Sequence, residues 1–127
     1  MSGDVPVLKD PEGQASIPSA WRGTLCLIAN AVARGDYQKL AQSAAIRPIG
    51  EALIQEISQN VRDYGVQLTD LPEDTWRTSA CQWMEIYWDV LVDLFSVEEG
   101  ASDLALAVRV YEEGAGYSFE VQSVHVP

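Results

Sequence analysis

Residues 83–96 alternate between two kinds of side chain. Met84, Ile86, Trp88, Val90, Val92 and Leu94 fall on one side of an extended backbone, and Glu85, Tyr87, Asp89, Leu91, Asp93 and Phe95 on the other. A period of two marks a strand with one face in a core. The stretch therefore predicts one strand of about ten to twelve residues ending at Ser96. Residues 103–112 repeat the alternation, with Leu104, Leu106, Val108 and Val110 opposite Ala105, Ala107, Arg109 and Tyr111. Residues 117–126 predict a further strand. Gly100, and then Gly114 and Gly116, supply the permissive backbone that the two reversals need.

Upstream the period changes. Trp21, Leu25, Ile28 and Val32 recur at helical spacing, with Ser16 or Ser19 as candidate caps near Pro18 and Gly35 as the stop. Tyr37, Leu40 and Ala44 predict a short second helix, capped by Asp36 and closed before Pro48. Ile49, Leu53, Ile57, Val61 and Tyr64 predict a third from near Pro48 to Gly65. Residues 66–82 are the least determined; Val66, Leu68 and Leu71 suit one short strand, and residues 75–80 a second after the turn at Pro72. Residues 1–17, with Gly3, Pro6, Pro11 and Gly13 and no apolar period, predict a flexible tail that adds little to the fold. Residues 18–127 are then a single α+β domain: two to three N-terminal helices packed on one face of an antiparallel β-meander of three to five strands.

Charge changes this picture more than composition does. Residues 1–62 hold six acids and six bases, whereas residues 63–127 hold thirteen acids against Arg77 and Arg109, so the whole net charge of −11 lies in the second half. That balance disfavours nucleic acid, which requires clustered cations, and favours a basic protein partner. No apolar run is long enough for a membrane helix, and the N-terminus lacks the basic and apolar regions of a secretory signal, so the expected location is the cytoplasm. In that compartment Cys26 and Cys81 are expected as free thiols.

Catalytic and metal chemistry find little support. His125 is the sole histidine, and Cys26 has no histidine near it in sequence. Asp89 and Asp93 could pair carboxylates on one strand face, but solvated charge is the more economical reading. Glu98, Glu99 and Asp103 crowd a loop without calcium-loop spacing, zinc lacks ligands, and no glycine pattern opens a helix to hold phosphate. No catalytic residue, cofactor or metal is therefore expected. An aromatic set including Trp76, Trp88 and Tyr111 would line a pocket if the chain were instead a cystatin-like or NTF2-like small-ligand-binding module or enzyme.

The run WDVLVDLFSVEEGASDLAL, residues 88–106, closely resembles the signature of a bacterial family of small proteins of unknown function. The pattern is Trp-x-Val-x-Val-Asp-Leu, an aromatic and Ser/Thr, then Glu-Glu-Gly-x-Ser-Asp-Leu-x-Leu, with a closing Leu/Val-His-Val met here by Val124, His125 and Val126. This chain departs from it at Ala101, where a basic residue is expected, and at Ala105, where threonine is. The resemblance implies a bacterial cytoplasmic accessory protein of a kind often partnered with secreted toxins. Together with the charge, it gives the expected function: an immunity protein that binds and occludes a basic toxin domain through its acidic C-terminal half. The expected contact residues are Glu85, Tyr87, Asp89, Asp93, Glu98, Glu99, Asp103, Arg109 and Tyr111, on a monomer or homodimer.

Overall fold

The computed structural model describes residues 4–127. The fold is α+β, with a five-stranded antiparallel sheet in which sequence neighbours are spatial neighbours throughout. The strands are β1 (Ala15–Ser16), β2 (Ala80–Trp83), β3 (Trp88–Ser96), β4 (Gly100–Glu113) and β5 (Gly116–His125). Two helices precede β2, namely α1 (Ser19–Arg34) and α2 (Glu51–Tyr64), and single 3₁₀ turns occupy Gln38–Gln42 and Glu73–Arg77.

The alternation in β3 and β4 reads as expected from Trp88 onward. Trp88, Val90, Val92, Leu94, Leu104, Leu106, Val108 and Val110 are all buried, together with Phe119, Val121 and Val124 of β5. Each aliphatic side chain taken from water contributes about 1.5–3 kcal/mol, so this face is the main source of stability. Trp21 of α1 enters the same core, edge-on to Trp88 at 5.1 Å and to Tyr117 at 5.4 Å. On the other face, Leu91, Asp93, Phe95, Arg109 and Tyr111 are half-buried and Asp89 is exposed.

The predicted strand does not run unbroken from residue 83. Met84 donates its amide to Tyr87 O at 2.7 Å, closing a turn between β2 and β3, and Glu85 adopts a left-handed φ of 73° to make the reversal. Met84 and Ile86, expected in the core, are 42% and 75% exposed at this turn. Residues 66–82 also depart from expectation. Leu68 makes one isolated bridge to Ser96, and of residues 75–80 the first three end a 3₁₀ turn that buries Trp76 while only Ala80 lies in a strand, as the start of β2. Pro72 in extended conformation, followed by Glu73 and Asp74 in the first turn, favours that local coil over a strand. The second predicted helix contracts to the Gln38–Gln42 turn, because residues 45–47 are needed along β5. The third helix starts at Glu51 with Gly50 as its cap, and α1 is capped at Pro18 rather than by a serine.

The edge of β5, and that of β3 where it extends past the short β2, are both covered by other parts of the chain. Phe119 exchanges backbone bonds with Ala45 and Arg47, each 2.8 Å, and Asn60 Nδ2 donates to Val124 O at 2.9 Å. Beyond the short β2, Ser79 Oγ accepts the Asp93 amide at 2.9 Å and Thr75 Oγ1 donates to Asp93 O at 2.6 Å. Thr69 and Gln67 then take the backbone groups of Phe95 and Val97.

Of the predicted tail, residues 1–3 lie outside the described residues. The remainder lies against the fold: Ile17 is fully buried, Ala15 pairs with Cys81, and the carbonyl of Leu8 accepts Trp88 Nε1 at 2.8 Å. Its short apolar residues carry no period, which hid this docking from the sequence. Cys26 and Cys81 are free thiols, and burial pushes the Cys81 thiol up to about 11.

Candidate partner-binding surface

Eight of the nine expected contact residues fall into two groups at opposite ends of β3, which spans nine residues and so roughly 25 Å. At the first end, the β2–β3 turn presents Glu85, and Tyr87 stacks obliquely on Tyr111 with ring centroids 5.6 Å apart. Arg109 pairs across the strands with Asp89, its Nε 3.7 Å from Oδ1, and its guanidinium lies 4.4 Å from the Tyr87 ring centroid. That separation is an ion pair without a directed hydrogen bond. Tyr111 is the largest cause holding the guanidinium above its ordinary value; desolvation opposes it, and Tyr87 and Asp89 add to the rise.

Sequence reasoning missed one member of this group. Arg47, on the segment that covers β5, stacks over Tyr111 at 3.9 Å and bonds Ser118 Oγ at 3.1 Å and Glu120 Oε2 at 3.5 Å. Tyr111 in turn donates to Glu120 at 3.2 Å. No local signal marks Arg47, which is 64 positions from its ring partner; only the fold joins them. Two guanidiniums and two tyrosines thus stack in series on the face of the sheet opposite Trp88 and Val110, with Asp89 and Glu120 as counter-charges.

At the second end the acids are tied into the fold. Glu98 accepts the Gln67 amide at 3.0 Å, Glu99 accepts Tyr64 Oη–H at 2.8 Å, and the Asp103 amide donates back to Tyr64 Oη at 3.0 Å. Tyr64 therefore joins the end of α2 to both sides of the β3–β4 turn. The Asp103 amide lowers the phenol's pKa, but the bond to Glu99, burial and the two carboxylates outweigh it, so the net direction is upward. Asp93 belongs to neither end: its carboxylate accepts Thr78 Oγ1 at 2.5 Å and its amide is bound by Ser79.

Of the thirteen acids in residues 63–127, five have an ion-pair partner among the described residues: Asp70, Asp74, Asp89, Glu112 and Glu120. The uncompensated charge is then carried by the others, with Glu85 and Glu113 beside the tyrosine stack and Glu98, Glu99 and Asp103 at the far end.

The remaining candidates are scattered. Cys26 is pushed up by desolvation first and then by Glu73 and Asp70, which opposes thiolate formation. His125 Nδ1 lies 2.7 Å from Ser123 Oγ. Trp88 is in the core, Tyr111 is on the opposite side of the sheet, and Trp76 bonds Glu73 through Nε1 at 3.0 Å, so these three line no common pocket. A cavity of about 180 Å³ lies elsewhere, between the Gln38–Gln42 turn and α2, walled by Leu40, Ile46, Pro48, Ile49 and Ile54. Among the described residues no three His, Cys, Asp or Glu side chains gather to hold a metal, and no helix is long and apolar enough to cross a membrane.

A family model described as a domain of unknown function (DUF7668) matches residues 29–127. No curated protein matches. No solved structure matches.

Proposed function

The chain belongs to the DUF7668 family, and from that premise, which brings no activity with it, we propose that it is a protein-binding module. In this reading it is an immunity-type protein of the bacterial cytoplasm that occludes a basic toxin domain. The helices cover one face of the sheet and the partner meets the other, at the end that carries Glu85, Tyr87, Asp89, Arg109 and Tyr111. The supporting observation is the Tyr87–Tyr111–Arg109–Asp89 stack flanked by the uncompensated carboxylates of Glu85 and Glu113. Tyrosine and arginine held rigid by one another lose little entropy on binding, and such residues dominate interface energies. The acidic surround accelerates encounter with a basic cleft and orders its approach.

The test is retention of partner proteins from the native host on the immobilised chain at rising salt. A basic protein is expected to bind at low salt and elute as salt rises, and Glu85→Lys with Glu113→Lys is expected to abolish retention while leaving the folded state intact. A partner with no salt dependence, or one indifferent to that double reversal, would overturn the reading.

A further inference from the structure

The β2–β3 turn combines three features that each work against stability of the free chain. Glu85 is the one residue other than glycine at positive φ among the described residues. Left-handed backbone is disfavoured for an L-residue, and glycine or asparagine ordinarily relieves it in tight turns. On either side stand Met84 and Ile86, the latter three-quarters exposed and the most solvent-exposed large apolar side chain described. Leu8, half exposed, lies nearby because its carbonyl is held by Trp88 Nε1. The turn is nonetheless firmly positioned: Met84 and Tyr87 close it at 2.7 Å, Trp83 and Trp88 stack beneath it at 4.4 Å, and Lys9 sits over Trp83 at 5.2 Å. Rigid presentation of strain and exposed apolar surface, where folding alone would select the opposite, is a signature of function.

The surrounding charge indicates what covers the tip. Strand order brings the Glu113–Gly116 reversal to this same end, and Glu85 and Glu113 there have no cation within ion-pair distance among the described residues. We infer that the Met84–Glu85–Ile86 tip is the anchor of the interface, inserting Ile86 and Met84 into an apolar pocket ringed by lysine or arginine on a basic protein. This rests on the binding reading above and adds to it which atoms hold the complex together. Glu85 and Glu113 meet the basic ring and set the rate of encounter, while the buried Ile86 sets the rate of release. Glu98 and Glu99 at the far end of β3 take no part, because both carboxylates are already bonded within the fold.

A photo-crosslinking residue, p-benzoylphenylalanine, placed at position 86 or at position 98 of the full chain and irradiated in cells of the native host, tests this directly. Position 86 is expected to give an adduct with a basic protein, and position 98 none. With that protein purified, Ile86→Ser is expected to raise Kd about tenfold or more through faster dissociation, whereas Glu85→Lys slows association. A basic protein captured only from position 98, or a Kd within about twofold of the parent for Ile86→Ser, would overturn the anchor and leave the binding reading standing. An adduct between two copies of this chain, or with a protein that is not basic, would overturn the inferred occupant. No adduct from either position would overturn both.

Discussion

The two turns at the ends of β3 are both acidic and both reverse the chain between adjacent antiparallel strands, yet they are built in opposite ways. At the β3–β4 turn, glycine takes the positive φ, at 74° for Gly100. There Ser96 Oγ accepts the Glu99 amide at 3.0 Å, and both glutamates are bonded to groups from another part of the chain. At the β2–β3 turn a glutamate takes the positive φ, no side chain among the described residues bonds it, and its apolar neighbours face water. Carboxylates at the first turn are consumed as structure; at the second they are left free. Acidity alone therefore does not mark a binding surface, and the same residue type serves latch and contact within one hairpin system.

Substitutions at the latch are expected to have the larger effects on stability. Gly100→Val puts a β-branched residue at φ +74° and is expected to cost about 2 kcal/mol in denaturant unfolding. A cost below about 0.5 kcal/mol would show that the turn tolerates strain as its counterpart does. Tyr64→Phe, which removes the hydroxyl shared by Glu99 and Asp103, is expected to lower the unfolding midpoint by less than Gly100→Val does. The same hydroxyl makes the latch sensitive to pH. Its folded pKa lies above the unfolded value, so its contribution is fully present below the ordinary tyrosine pKa and is lost as pH rises through the folded one. Unfolding followed from neutral to strongly alkaline pH is expected to show this loss in the parent and not in Tyr64→Phe.

At the free turn the expected changes are smaller, a slight gain or none. Glu85→Gly relieves the left-handed strain at the cost of chain entropy, for a net gain of about 0.5 kcal/mol. A loss instead would place Glu85 among the residues that hold the fold. Ile86→Ser is expected to leave the unfolding midpoint unchanged within error, since the side chain already stands in water.

Much of the fold was legible because burial follows period. The alternation of Val90, Val92, Leu104, Leu106, Val108 and Val110 located the core face and both strands that carry it. Gly35 and Gly65, both left-handed helix stops, fixed the ends of α1 and α2. The β2–β3 turn was not legible, since Met84-Glu85-Ile86-Tyr87 continues the alternation and contains no turn residue. A backbone reversal held by one hydrogen bond and a strained glutamate leaves no trace in periodicity. The Arg47 stack on Tyr111 was equally hidden, because it joins residues far apart in sequence. For the candidate surface, counting charges placed the acidic excess in the second half of the chain but could not separate bonded from free carboxylates. Glu98 and Glu99, the most distinctive pair in the motif, are latch residues in the structure.

The claim that a basic partner meets the free turn and not the latch is tested most directly by hydrogen exchange on the partner-bound chain against the free chain. Added protection is predicted at residues 84–88 and 111–116, with residues 96–103 unchanged. Protection confined to residues 96–103 would contradict it.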